Sequence, residues 1–414
     1  MALKINKEKF CSIIFVMCAL MIIFAPYQSD STLSLTSSLL SNIFKVLLYT
    51  FTGLNIILII FPILKYKKTI LRKDLFQTIP MIIFVIISSF HTYDGSISFS
   101  GFLFSLLWII FALAPDNIKK RTFIYFKNAF IIICIASIIC YLSYDLNLFL
   151  PYKVVNYYNN NAIVENYIDY KFIFLYRASS SISLVRLCGI CNEPGYFGTI
   201  CALILCASSL NLKKKSNIII LIAGFLTFSL AFIITLVIYL LLKYLKDVRT
   251  VILTVLLTCF YLFLLPNIYT GNPTIDRFIQ RMTITDEGLA GDNRTTDDLE
   301  YVFNDVVKNK PLFGYGEGYL KTQNLKGGVS SYKTYIIQYG FVGCILLWGS
   351  LLLAALYKNK NYLSIIYIIA FFVNIYQRPN IMTLQYQILL FGGLAFINAK
   401  LRVKENANNT VEIL

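Results

Sequence analysis

Long apolar runs alternate with short polar turns along almost the whole chain. A membrane-spanning helix needs about 20 mainly apolar residues. Runs near that scale fall at 10–26, 39–64, 76–90, 97–115, 122–144, 194–212, 217–229, 230–243, 250–267, 332–357, 361–376 and 383–399. The pattern predicts an all-α polytopic membrane protein with about 12 transmembrane helices and two large loops on one side. It divides into N-terminal helices (1–144), a first large loop (145–193), central helices (194–267), a second large loop (268–331) and C-terminal helices with a tail (332–414).

Basic residues fix the orientation. They cluster at Lys4, Lys7 and Lys9, then at 65–73, 119–127, 213–215 and 243–249, at Lys358 and Lys360, and at 400–404. Cytoplasmic loops are enriched in Lys and Arg, so these clusters and both termini are expected inside. The stretch 217–243 has the length of one span, but a single crossing would separate the 213–215 and 243–249 clusters. Two short helices, or a re-entrant hairpin broken near Thr227, Phe228 and Ser229, keep them together. Irregular backbone at depth is tolerated inside protein, so the hairpin is expected within the bundle.

In the second loop, Leu299, Val302, Phe303, Val306 and Val307 recur at helical spacing, predicting an amphipathic helix over 295–308. Asp297, Asp298 and Glu300 suit its first turn, Lys308 and Lys310 its last, and Pro311 stops it. The turn-rich segment from Phe313 to Gly318 follows. The Asn- and Tyr-rich tract of the first loop reads as loop.

Composition agrees. Charged residues make up 14% of the chain, against about 25% in a soluble domain. The net charge of +16 sits in turns between apolar runs, which is membrane topology and not a nucleic-acid patch. The basic, then apolar, N-terminus resembles a signal peptide, but Phe24-Ala25-Pro26-Tyr27 is a poor cleavage site, so a retained first span is expected. Of the 10 cysteines, Cys188 and Cys191 form a lone C-x-x-C that reads as a thiol pair or disulfide before a metal site. No metal and no cofactor are expected.

Three groups carry candidate chemistry. Glu193 precedes Pro194, a favoured first helical residue, and lies near Arg186. It reads as a capping carboxylate paired with Arg186, or as a general base or sugar-orienting group. Arg277, Arg281 and Arg294 precede the amphipathic helix; they read as phosphate ligands or as loop charge balanced by nearby acids. Arg378, at an external span end, either snorkels or faces the same cavity. His91, the single histidine, reads as an interfacial residue.

Two stretches, Arg186 to Gly198 and Arg294 to Gly343, resemble the bacterial O-antigen polymerase (Wzy-type) and ligase superfamily. The second carries Arg294, the amphipathic helix, Pro311-Leu312-Phe313-Gly314-Tyr315-Gly316, the pair Ser331-Tyr332, and Gln338-Tyr339-Gly340-Phe341-Val342-Gly343. Glu193-Pro194-Gly195 entering a span is the other shared mark. Ligases typically carry a His just before the polar-aromatic pair; here the residues are Gly328-Val329-Ser330-Ser331-Tyr332, which points to the repeat-unit polymerase.

The resemblance implies transfer of a growing glycan from undecaprenyl diphosphate to a sugar hydroxyl on an incoming repeat unit, at the periplasmic face of the inner membrane. It implies Glu193 and Arg294 as catalytic residues. Arg186, Arg277, Arg281, Arg378, Glu317, Tyr196 and Tyr315 are expected to bind lipid diphosphate or sugar, with Tyr319 a further ring for a sugar face. Glu317 is the second candidate base. Expected partners are lipid-linked glycans, the bilayer and a chain-length regulator, with no nucleic acid. The alternatives are an O-antigen ligase and a lipid-linked oligosaccharide flippase, whose loops are expected to be short.

Overall fold

The computed structural model describes residues 7–24, 46–47, 49–55, 57–58, 72–96, 99–148, 150–159, 162–178, 185–245, 247–260, 267–271, 276, 279–280, 283–285, 288–289, 296–323, 331–357, 359–376 and 382–411. The chain is mostly helical, and a helix lies on every expected apolar run. In chain order the first helices are α1 (Lys7–Ile23), α2 (Arg72–Phe90), α3 (Phe99–Leu113) and α4 (Asp116–Asp145). The described residues between 46 and 58 are also helical.

Among the described residues, two helices are long and apolar enough to cross a membrane: α4 and the composite helix Tyr332–Tyr357. Shorter apolar helices include Pro194–Ala207, Lys215–Leu226, Leu230–Lys243 and Tyr362–Val373.

The chain forms two compact units. The first comprises Met1–Ile22, Leu39–Phe126 and Arg294–Leu414. Phe15 meets Phe111 edge-on at 5.0 Å between α1 and α3, and Ser12 Oγ donates to the Ile118 carbonyl at 3.4 Å.

The second unit comprises Ile23–Ser38 and Lys127–Asn293, and it corrects the all-α expectation. Within the expected first loop lie β1 (Lys153–Asn159), β2 (Ala162–Asp169), β3 (Phe174–Ala178) and β4 (Val185–Gly189). They form an antiparallel meander in sequential order. The cause is alternation hidden under the Asn content: Val155, Tyr167, Phe174 and Tyr176 share one face, where Tyr167, Phe174 and Cys188 make a buried cluster. β-branched and aromatic residues suit such a pleated, half-buried surface.

Beyond the sheet run α5 (Pro194–Ala207), α6 (Lys215–Leu226), α7 (Leu230–Lys243) and α8 (Val248–Cys259). α6 and α7 are the two short helices expected in 217–243, and their break falls at Thr227, Phe228 and Ser229. Phe228 has φ +46°, and Ser229 caps α7, accepting from Phe232 N. Both feet of this hairpin meet the end of α5. Lys243 Nζ donates to the Ser209 carbonyl at 2.8 Å, and Asn217 Nδ2 to the Asn211 carbonyl at 2.8 Å. Buried Lys127, on α4, donates to Ser208 Oγ and Asn217 Oδ1, both at 2.7 Å.

The first unit resumes with α9 (Asp297–Asn309), α10 (Tyr319–Thr322), α11 (Tyr332–Tyr357), α12 (Tyr362–Val373) and α13 (384–411). α9 is the amphipathic helix. Thr296 caps it through Leu299 N, and Leu299, Val302 and Val306 pack on Ile337 of α11. Val307, expected on the same apolar face, is 38% exposed and lies outside the cluster. α11 and α13 each contain a π-helical stretch, at Ile345–Gly349 and Ile388–Gly392. Tyr367 of α12 donates to the Leu389 carbonyl in the second, at 2.5 Å. A side chain inserted at such a bulge satisfies backbone the helix ladder leaves unpaired.

Candidate functional site

In the first unit the turn after α9 docks backbone-to-backbone on α11. Tyr315 N donates to Ile337 O at 2.8 Å and Gly316 N to Gln338 O at 2.9 Å. In return Phe341 N donates to Pro311 O at 2.8 Å and Val342 N to Leu312 O at 3.1 Å. The fit requires glycine on both sides. Gly314 has φ +67°, and a Cβ there would lie 2.5 Å from Ile337 O. Gly340 has φ +64°, and a Cβ there would lie 2.2 Å from Leu312 O. Gly340 lacks helical backbone angles and marks a kink in α11.

The far side of the same turn is held by the chain leaving α2. Glu317 N donates to His91 O, and Tyr93 N to Glu317 O, both at 2.9 Å. His91 Nε2 lies 2.8 Å from the Phe313 carbonyl. A carbonyl only accepts, so this nitrogen carries the proton.

Glu317 is fixed between these two supports. Over the whole residue it is exposed, but its carboxylate leans inward to buried Tyr339, whose hydroxyl donates to it at 3.3 Å. Enclosure on that side pushes the Glu317 carboxyl above the usual range; the Tyr339 hydrogen bond and the charge of Lys321 oppose the shift. Asp94 moves the other way. It accepts from Ser96 Oγ at 2.7 Å and Ser96 N at 3.0 Å, and these bonds hold its carboxyl below the ordinary value. Carboxylates pushed apart by their surroundings suit different proton roles.

Tyr315 is occupied by packing. Its hydroxyl donates to Asp305 at 2.5 Å, a bond that pushes its pKa up to about 12. Its ring stacks on Tyr319 at 4.3 Å and carries Lys310 Nζ at 4.8 Å. Tyr315 is a post that ties α9 to the turn. The Lys333–Glu300 ion pair makes a second tie between α9 and α11.

In the second unit, Glu193 stands at the N-cap of α5 in extended backbone (φ −137°, ψ 139°), with Pro194 next. Its side chain takes no cap hydrogen bond; its carbonyl accepts from Tyr196 N at 3.2 Å. Arg186, on β4, donates from Nε to the Thr227 carbonyl at 2.9 Å and from a terminal nitrogen to the Phe228 carbonyl at 3.1 Å. Its guanidinium also lies over the Tyr176 ring at 5.9 Å. Arg186 thus closes the break between α6 and α7. Tyr196 is half-buried on the first turn of α5. Cys188 and Cys191 are buried and joined by a backbone turn, Cys191 N to Cys188 O at 3.1 Å.

Arg277, Arg281, Arg294 and Arg378 lie outside the described residues. Among the described residues, no three His, Cys, Asp or Glu side chains gather as a metal-holding group. Sequence reasoning passed over Tyr93, Asp94 and Tyr339. The signal for Tyr339 was its place beside Gly340 in a helix start; nothing local to Tyr93 and Asp94 links them to Glu317. No family model, curated protein or solved structure matches the chain.

Proposed function

We propose that this chain polymerises lipid-diphosphate-linked oligosaccharide repeat units at the outer face of a bacterial inner membrane, as an O-antigen polymerase of the Wzy type. The observation that carries this reading is the docking of the 311–316 turn onto 337–342. It makes the Pro-x-x-Gly-x-Gly and Tyr-Gly elements of the resemblance one folded unit, and it presents Glu317 beside that unit.

In this reading the chain crosses the bilayer about 12 times with both termini cytoplasmic. α5, α6 and α7 have 14, 12 and 14 residues, about 18–21 Å of helix. That is shorter than the ~30 Å hydrocarbon layer, so the bilayer thins around them or flanking residues complete the crossing.

The acceptor hydroxyl attacks the anomeric carbon of the growing chain. A C–O bond forms there as the bond to the lipid diphosphate breaks. The electron pair leaves with the diphosphate, and the hydroxyl proton passes to a carboxylate. Glu317, with its raised proton affinity, is the first candidate base and Glu193 the second. Charge grows on the departing diphosphate, and Arg277, Arg281, Arg294 and Arg378 are the candidate cations. Losing one preorganised donor of this kind costs about 3 kcal/mol. Arg186 spends two donors on carbonyls and serves to position the hairpin.

A second reading, an O-antigen ligase, draws on one observation: His91, though remote in sequence, reaches the Phe313 carbonyl of the Gly-rich turn. Its Nε2 proton is spent there, which favours the polymerase.

The test is complementation of a strain deleted for this gene. Arg294→Ala and Glu317→Gln each leave the surface polysaccharide unpolymerised at normal protein level. Normal chain lengths in both variants would remove these residues from the site.

A further inference from the structure

One rim of the first unit sets exposed aromatic and acidic side chains beside Glu317, the first candidate base. Tyr93 follows α2 and is 49% exposed. Its ring meets Tyr319 edge-to-face at 5.0 Å, and about half of the residue stays exposed to solvent. Tyr319 is backed by the Tyr315 stack, so the row is rigid. Asp94 is exposed and held in one pose by its two bonds from Ser96. Glu317 joins the same rim through the reciprocal main-chain bonds with His91 and Tyr93. An isolated bridge, Thr92 against Glu317, fixes the register.

An immobilised aromatic face beside fixed carboxylates matches a particular ligand. A pyranose offers an apolar C–H face for the ring and hydroxyls that donate to the carboxylates. Tyrosine supplies such contact area at low entropic cost. Among the described residues, Lys321 acts on Glu317 and Lys310 lies over the Tyr315 ring; the open ring and the carboxylates suit a sugar.

We propose that Tyr93, Asp94, Glu317 and Tyr319 form a sugar-binding platform that receives pyranose residues of the glycan. This deepens the polymerase reading and rests on it for the identity of the glycan. Tyr93 supplies the stacking face, Tyr319 supports it, and Asp94 and Glu317 accept from ring hydroxyls.

The experiment uses the full chain in lipid nanodiscs and saturation-transfer-difference NMR. The probe is the host's own repeat-unit oligosaccharide, released from its lipid by mild acid. Wild-type protein binds it. Tyr93→Ala weakens binding about tenfold, the loss of one stacking contact, while Tyr93→Phe keeps it within about twofold. Asp94→Asn, an exposed change that spares the fold, weakens binding as well. Undiminished binding in Tyr93→Ala and Asp94→Asn overturns the platform, as does absence of binding by wild-type protein. The polymerase reading fails separately, if a deletion strain keeps its polysaccharide ladder.

Discussion

Arg186 reaches across 41 residues of sequence to the Thr227 carbonyl, at 2.9 Å, and takes the adjacent Phe228 carbonyl at 3.1 Å. The last carbonyls of a helix have no intrahelical partner, and α6 ends at this break. A planar fork of donors answers two neighbouring carbonyls in a way that a lysine point charge does not. Arg186→Ala therefore costs about 1–3 kcal/mol, and Arg186→Lys recovers less than half of it. Thermal unfolding of the detergent-solubilised variants measures both. An unchanged midpoint in Arg186→Ala would make the guanidinium dispensable to the fold.

Gly340→Ala places a methyl group against the Leu312 carbonyl in backbone with φ +64°. Strain of this kind costs about 1–3 kcal/mol before the clash is counted. The variant is expected to loosen the 311–316 turn, lowering thermal stability and raising protease cleavage between 310 and 318. The docked turn predicts no such sensitivity for Gly95→Ala, where no atom lies within 4 Å of the new methyl, beyond its own positive-φ cost.

In the proposed polymerase reading, with Glu317 as the base, the reaction is pH-dependent. The Glu317 carboxyl is raised by enclosure and lowered by the Tyr339 hydrogen bond. As a base it works ionised, so the rate climbs as pH rises through a value above the ordinary ~4.3 of glutamate. Tyr339→Phe removes the lowering bond and moves that acid limb to higher pH. Stability runs the opposite way. The folded state holds the Glu317 proton more tightly than the unfolded state, so stability falls as pH rises from the unfolded pKa through the raised folded one. Initial rates against pH for the wild type, Tyr339→Phe and Glu317→Gln check this; an acid limb unmoved by Tyr339→Phe would contradict the assignment.

Lys127 joins α4 to Ser208 and Asn217 through two bonds of 2.7 Å. Removing a buried donor leaves its acceptors desolvated, at about 1–3 kcal/mol. Lys127→Met is expected to destabilise, and Lys127→Met with Asn217→Leu to cost less than the sum of the two single changes. A double-mutant cycle reads the coupling; strict additivity would mean that the pair does not interact.

What could be read beforehand followed periodicity and charge. The 213–215 and 243–249 clusters required a break near Thr227, and α6 and α7 part there. Leu299, Val302 and Val306 announced α9. The sheet stayed hidden because Asn156, Asn159 and Asn166 interrupt the strand alternation, and because pairs such as Val155–Tyr167 form only once the meander closes. The bonds of Arg186 to the Thr227 and Phe228 carbonyls were not legible, because no side-chain pattern records a backbone acceptor. Tyr93 and Glu317 are more than 200 residues apart in the chain, and a backbone bridge joins them without a sequence signature.

The most direct measurement is a gel of surface polysaccharide from a strain lacking this gene. A repeat-unit polymerase predicts lipid A-core carrying a single repeat unit, with the ladder gone and restored by the wild-type gene. An unchanged ladder would contradict the account, and loss of every attached repeat would transfer the chain to the ligase or flippase reading.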